Sequence, residues 1–134
     1  MIAAILPLLV AAGLLAVTAP PQLYTPQELA EWSRCKPEKM ADYFAARMAY
    51  TEQDKWLPAE VVMTKQAGDC KGYSAVAKAA LNSCAGYEAR IVIKDGKEPG
   101  KKHAIVVFTD HKGRQGIFDN GRFEMAFRRR TTAV

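Results

Sequence analysis

Gln66-Ala67-Gly68-Asp69-Cys70-Lys71-Gly72-Tyr73, with the apolar run that follows it, decides the fold. Gln66 to Asp69 breaks a short helix opened by Pro58 and ending near Lys65. From Cys70 to about residue 85, Val76, Ala77, Ala80, Leu81 and Cys84 recur at helical spacing. Gly86 stands where a glycine ends a helix, so the spacing predicts a helix with Cys70 in its first turn. At Tyr87 the period changes to two: Tyr87, Ala89, Ile91 and Ile93 alternate with Glu88, Arg90, Val92 and Lys94, the pattern of a half-buried strand. A second strand is expected from His103 to Thr109, a turn at Asp110-His111-Lys112-Gly113, and a third strand from Arg114 to Asp119.

Upstream, Thr25-Pro26-Gln27-Glu28 combines an N-cap threonine, a proline at the first helical position and a glutamate three residues after the cap, which predicts a helix to about Arg34. Pro37 opens another, expected to reach about Thr51, with Met40, Tyr43, Phe44 and Met48 as its buried stripe. Helices first and a small antiparallel sheet after them make the class α+β.

The chain has 134 residues, 49% hydrophobic and 25% charged, the balance of a globular domain with room for one core. No charged side chain precedes Glu28, and Ile2 to Val17 is almost wholly apolar. Residues 1–21 therefore read as a signal peptide or an N-terminal membrane anchor, and 22–134 as the domain. Against a signal peptide stands the lack of a basic residue before the apolar run. Against an anchor stand its shortness and the interrupting Pro7 and Gly13. Either way the domain is expected outside the cytoplasm: periplasmic, secreted or membrane-anchored, with residues 2–17 as the membrane contact. In such an oxidising compartment Cys35 and Cys84 form an even pair once Cys70 is set aside. The sequence leaves them either bridged or as two small buried apolar side chains.

The net charge of +5 is C-terminal in origin, since Arg128, Arg129 and Arg130 close the chain. A solvated tail accounts for that run, and no nucleic-acid motif or aromatic platform accompanies Lys101, Lys102 and the arginines. Three cysteines and two histidines without paired spacing do not form a metal signature, and no cofactor motif is present.

A cysteine at a helix N-terminus gains thiolate character from the unpaired N–H groups and the helix dipole, which makes Cys70 the candidate nucleophile. Of the two histidines, His103 opens a strongly apolar strand that holds it rigidly, whereas His111 lies in a turn, so His103 is the candidate base. Asp119 ends the neighbouring strand and is the candidate to orient that base, although Asp119-Asn120-Gly121 is also a turn sequence. Gln66 is a candidate oxyanion donor, and Trp56 a candidate wall of a substrate cleft or a core residue.

These residues sit in segments that resemble a family. Asp54-Lys55-Trp56-Leu57-Pro58-Ala59-Glu60, Gly68-Asp69-Cys70-Lys71-Gly72-Tyr73, Lys102-His103-Ala104-Ile105-Val106-Val107 and Ile117-Phe118-Asp119-Asn120 are similar, in content and order, to the bacterial transglutaminase-like cysteine proteinases. The resemblance covers about residues 50–121. It implies a papain-like core with the nucleophile helix packed on an antiparallel sheet. It also implies a cysteine peptidase or amidase that cleaves an amide of a protein or peptide through a thioester, with Cys70, His103 and Asp119 as triad. Family members usually carry acidic residues directly after the nucleophile, and some bind calcium with them. Here Lys71 and Gly72 hold those positions, so calcium is not expected. A non-catalytic binding or structural module that keeps the fold, membrane-attached or assembly-associated, is the alternative reading.

Overall fold

The structure is a computed structural model, which describes residues 20–125. Helix α1 (Pro26–Ser33) begins as its sequence dictates. The Thr25 hydroxyl accepts from the Glu28 N–H at 3.1 Å, and the Glu28 carboxylate takes the Thr25 N–H at 3.2 Å. Two successive residues, Arg34 and Cys35, then adopt left-handed backbone with φ of 55° and 57°. This conformation is costly for residues with a Cβ. It is held by a bond from the Cys35 N–H to the Ala30 carbonyl, by the Tyr87 hydroxyl donating to the Cys35 carbonyl, and by a disulfide from Cys35 to Cys84. The bridge takes up one of the two alternatives left open by the sequence.

Helix α2 (Pro37–Arg47) is shorter than its sequence suggests. The expectation of a helix to about Thr51 fails because the Ala49 and Thr51 N–H groups bond to the carbonyls of Gln66 and Gly68. Strand β1 (Ala49–Tyr50) thus pairs in parallel with β2 (Ala67–Gly68), and between them runs helix α3 (Ala59–Lys65). This two-residue pairing fixes the chain immediately before Cys70.

Helix α4 (Cys70–Asn82) is the centre of the core. Val76, Ala77, Ala80 and Leu81 are fully buried, and a buried valine or leucine contributes about 1.5–3 kcal/mol. The helix stops three residues before the expected end. Its last residue, Asn82, turns its amide to the backbone of Ala89, accepting at 2.8 Å and donating at 3.0 Å, which ties the helix end to the first strand of the sheet. Gly86, with φ of 82°, makes the bend between them.

Strands β3 (Glu88–Asp95), β4 (Lys102–Thr109), β5 (Gln115–Asp119) and β6 (Arg122–Met125) form an antiparallel meander in sequential order. The fourth strand was not expected; it follows a tight turn at Asn120 and Gly121, whose φ values of 50° and 82° are those of a two-residue hairpin. Helix α4 packs on β3, β4 and β5, and α2 packs on β6. Val106, Phe108 and Phe118 meet Leu29, Met40, Tyr43, Phe44 and the α4 residues in one core. Among the described residues no helix is long and apolar enough to cross a membrane. The apolar run Ile2–Val17 and the basic run Arg128–Arg130 lie outside those residues.

Candidate active site

Cys70 is the first residue of α4, and its thiol is partly accessible. The first N–H groups of a helix have no partner within it, so the Cys70 amide is available to an oxyanion. Asp69 caps the helix. Its carboxylate, on a residue only 4% exposed, accepts from the Lys71 N–H at 2.9 Å, the Gln53 N–H at 2.8 Å and the Lys71 ammonium at 3.0 Å. Burial alone would raise its pKa. The bonds from Gln53 and Lys71, with the lysine's charge, outweigh burial and hold it below the ordinary carboxylate value. The pairing also raises the Lys71 pKa, keeping a cation one residue from the thiol.

Gln53 completes this turn, and no sequence signal marked it. Its side-chain carbonyl accepts the Asp69 N–H at 2.9 Å while its own N–H reaches the Asp69 carboxylate. Its Nε2 donates to the Lys55 carbonyl at 3.0 Å, so the same residue anchors the loop that bears Trp56. The carbonyl occupies the space that side chains at Gly68 and Gly72 would fill. A Cβ on Gly68 would lie 2.7 Å from it, and one on Gly72 closer still. The two glycines of the Gly-Asp-Cys-Lys-Gly segment thus leave the room in which the Gln53 carbonyl reaches the Asp69 N–H, which their sequence context alone does not reveal.

Tyr50 is the second residue that the sequence did not flag. Paired with Gly68 and stacked on Tyr73 at 6.4 Å between ring centres, it lies against the first turn of α4. Partial burial, then the negative charge of Asp69 and of a Cys70 thiolate, raise its pKa, so the phenol remains a hydrogen donor. Trp56 is 45% exposed and outside the core. Gln66 caps α3 in left-handed backbone and donates its amide to the Arg47 carbonyl at 3.1 Å, which uses one of its two amide hydrogens.

The β4–β5 hairpin brings His103 and Asp119 together. Its turn is pinned by Asp110, whose buried carboxylate accepts from the N–H groups of Lys112 and Arg114 and from Arg114 Nε, at 2.8–2.9 Å. That turn sets the register, with Val106 facing Phe118. His103 and Asp119 alternate with the core-packed Ala104, Val106 and Phe118 and stay partly exposed at the sheet end. His103 Nε2 meets Asp119 Oδ1 at 2.7 Å. The carboxylate fixes the ring and leaves Nδ1 for a proton from another group. The turn sequence after Asp119 serves the same end, for Asn120 and Gly121 reverse the chain. Gly121 packs where a Cβ would lie 2.7 Å from Phe44 and 2.8 Å from Tyr73. The structure thus joins the second and third members of the expected triad. Among the described residues no hydrogen bond joins the Cys70 sulfur to His103.

A helix-borne cysteine and an antiparallel sheet presenting a histidine–aspartate pair form the framework of papain-like and transglutaminase-like folds. The family model described as the transglutaminase-like superfamily matches residues 23–121, the greater part of the chain, and the protein belongs to that superfamily. No curated protein and no solved structure matches it.

Proposed function

We propose that this protein is a cysteine hydrolase that cleaves an amide bond of a protein or peptide outside the cytoplasm. The observation that carries the reading is the 2.7 Å bond between His103 and Asp119, which orients an imidazole with Nδ1 open. The superfamily and the position of Cys70 at the start of α4 support it. In this reading the Cys70 proton passes to Nδ1 as Sγ attacks the amide carbon. The oxyanion is met by the Cys70 N–H, with the second Gln66 amide hydrogen and the Tyr50 hydroxyl as further donors. The C–N bond breaks, the amine leaves with the imidazolium proton, and the thioester remains. Water then gives a proton to His103 and hydrolyses the thioester, releasing the carboxylic acid and the thiol. Trp56, exposed on the Gln53-anchored loop, would line the substrate cleft. The Cys35–Cys84 disulfide fits an oxidising compartment.

A non-catalytic module that keeps the fold is the second reading, favoured by the missing hydrogen bond between Cys70 and His103. Such contacts are often loose before substrate binds. Alkylation by iodoacetamide separates the two. A hydrolase shows fast modification of Cys70 at neutral pH, slowed in His103→Ala and Asp119→Ala, and peptide turnover falls by about 10²–10⁴-fold without the base. Slow labelling unaffected by either substitution would exclude the hydrolase.

A further inference from the structure

The segment from Tyr50 to Trp56 is a strap fastened to the turn that delivers Cys70. Tyr50 pairs with Gly68, and the Thr51 N–H bonds to the Gly68 carbonyl. The Gln53 N–H and side-chain carbonyl engage the carboxylate and the N–H of Asp69, the residue before Cys70. Gln53 Nε2 then holds the Lys55 carbonyl, next to Trp56. These bonds place the strap beside the nucleophile.

What the strap turns to solvent is aromatic and acidic. Tyr50 is 56% exposed even though one face of its ring stacks on Tyr73, and Trp56 is 45% exposed. Glu52 and Asp54, which lie between them in sequence, are exposed, and among the described residues neither has a cationic partner. Tyr50 lies within electrostatic reach of Glu52 and of Cys70 alike. Lys55 is the one cation in the strap, and the charge of nearby Lys71 is matched by Asp69. A chain whose net charge is +5 thus carries a strip of net negative charge, flanked by two open aromatic rings, beside its reactive thiol.

We propose that this strap is a recognition strip for a peptide side-chain cation, lysine or arginine, close to the amide cut at Cys70. The proposal rests on the reading of Cys70 as nucleophile. An aromatic face attracts a cation through its quadrupole, and a neighbouring carboxylate adds a direct attraction. Each is weak at an exposed site, so the selection comes from their combination. An acidic side chain would meet like charge here, and an apolar one would gain only the rings, so the same strip discriminates against both.

Two measurements on the full chain at low ionic strength test it. The first is the ratio of Cys70 alkylation rates with 2-bromoethylammonium, a cation, and iodoacetamide, a neutral probe; taken at one pH, the ratio reads local charge separately from the thiolate fraction. Glu52→Gln and Asp54→Asn should each lower it by roughly two- to fivefold, and added salt should erase the difference. An unchanged ratio at a reactive Cys70 overturns the proposal and leaves the hydrolase standing. The second is calorimetric binding to Cys70→Ala protein of two otherwise identical alanine-rich peptides, one with a central lysine and one with acetyl-lysine, which keeps the stem and loses the charge. Binding of the lysine peptide tighter by roughly two- to tenfold, salt-sensitive and reduced both in the Glu52→Gln, Asp54→Asn double variant and in Trp56→Leu, supports the strip. Equal affinity, no binding of either peptide, or a preference that survives those substitutions overturns it. A Cys70 inert to both alkylators would instead overturn the hydrolase reading and, with it, the assignment of a cut amide.

Discussion

Reduction of the Cys35–Cys84 disulfide should cost this small domain about 3 kcal/mol. The bridge spans a sequence separation of 49 residues, and closing a loop of that length lowers the entropy of the unfolded chain by the equivalent of about 4 kcal/mol at 25 °C. Against this, reduction frees Cys35 to leave its left-handed conformation at φ 57°, returning about 1 kcal/mol. With a urea dependence of about 1.5 kcal/mol per molar for a domain of this size, the unfolding midpoint should fall by roughly 2 M. The assay is urea unfolding followed by tryptophan fluorescence and far-ultraviolet circular dichroism, with and without reductant, in a Cys70→Ala background that prevents thiol exchange. A shift smaller than about 0.5 M, well under the loop-entropy expectation, would refute the reasoning and show that the reduced unfolded chain already keeps the two segments together.

Two further outcomes follow from the nucleophile turn and the hairpin. Gln53→Leu keeps the volume but removes the bond to the Asp69 N–H and the anchor to Lys55; it should cost about 1–3 kcal/mol and slow Cys70 alkylation more than the lost stability explains. Labelling at wild-type rate in the folded fraction would deny Gln53 a positioning role. Asp69 and Asp110 both have lowered pKa values in the folded state, through N–H and cationic donors that outweigh burial. The unfolded chain therefore binds their protons more readily. The stability they confer is fully present above the unfolded carboxylate range near pH 4 and is lost as pH falls through the lower folded values. Asp69→Asn and Asp110→Asn should each flatten the acid limb of urea midpoints measured between pH 6 and 3. An unchanged slope would deny them that part.

Much of this site was legible because its parts are local. Cys70 and the α4 stripe announce a helix through spacing alone, with its Asp69 cap seen only in the fold, and His103 and Asp119 meet within one hairpin, where turn residues and period-two alternation determine who faces whom. What the sequence hid depends on pairing between distant segments. Two residues, Ala49 and Tyr50, leave the expected helix to pair with Ala67 and Gly68, and a two-residue strand has no period to read. Gln53 is hidden for the same reason, since only the fold brings it over Gly68 and Gly72. Strand β6 was missed because Arg122–Met125 is a four-residue strand with only Phe123 withdrawn from solvent; its turn was visible, but its continuation carried too weak an alternation.

The disulfide also places a demand on how the chain matures. Three cysteines admit three single bridges, and two of them would consume Cys70. The His103–Asp119 hairpin can close within microseconds, whereas thiol oxidation takes seconds to hours, so docking of the α4 end beside the α1–α2 junction has time to select the correct partner. Removing only Cys35 or only Cys84 would leave an orphan sulfur free to capture the third. The double substitution should therefore yield more monomer with a free Cys70 than either single one, despite having fewer thiols with which to fold.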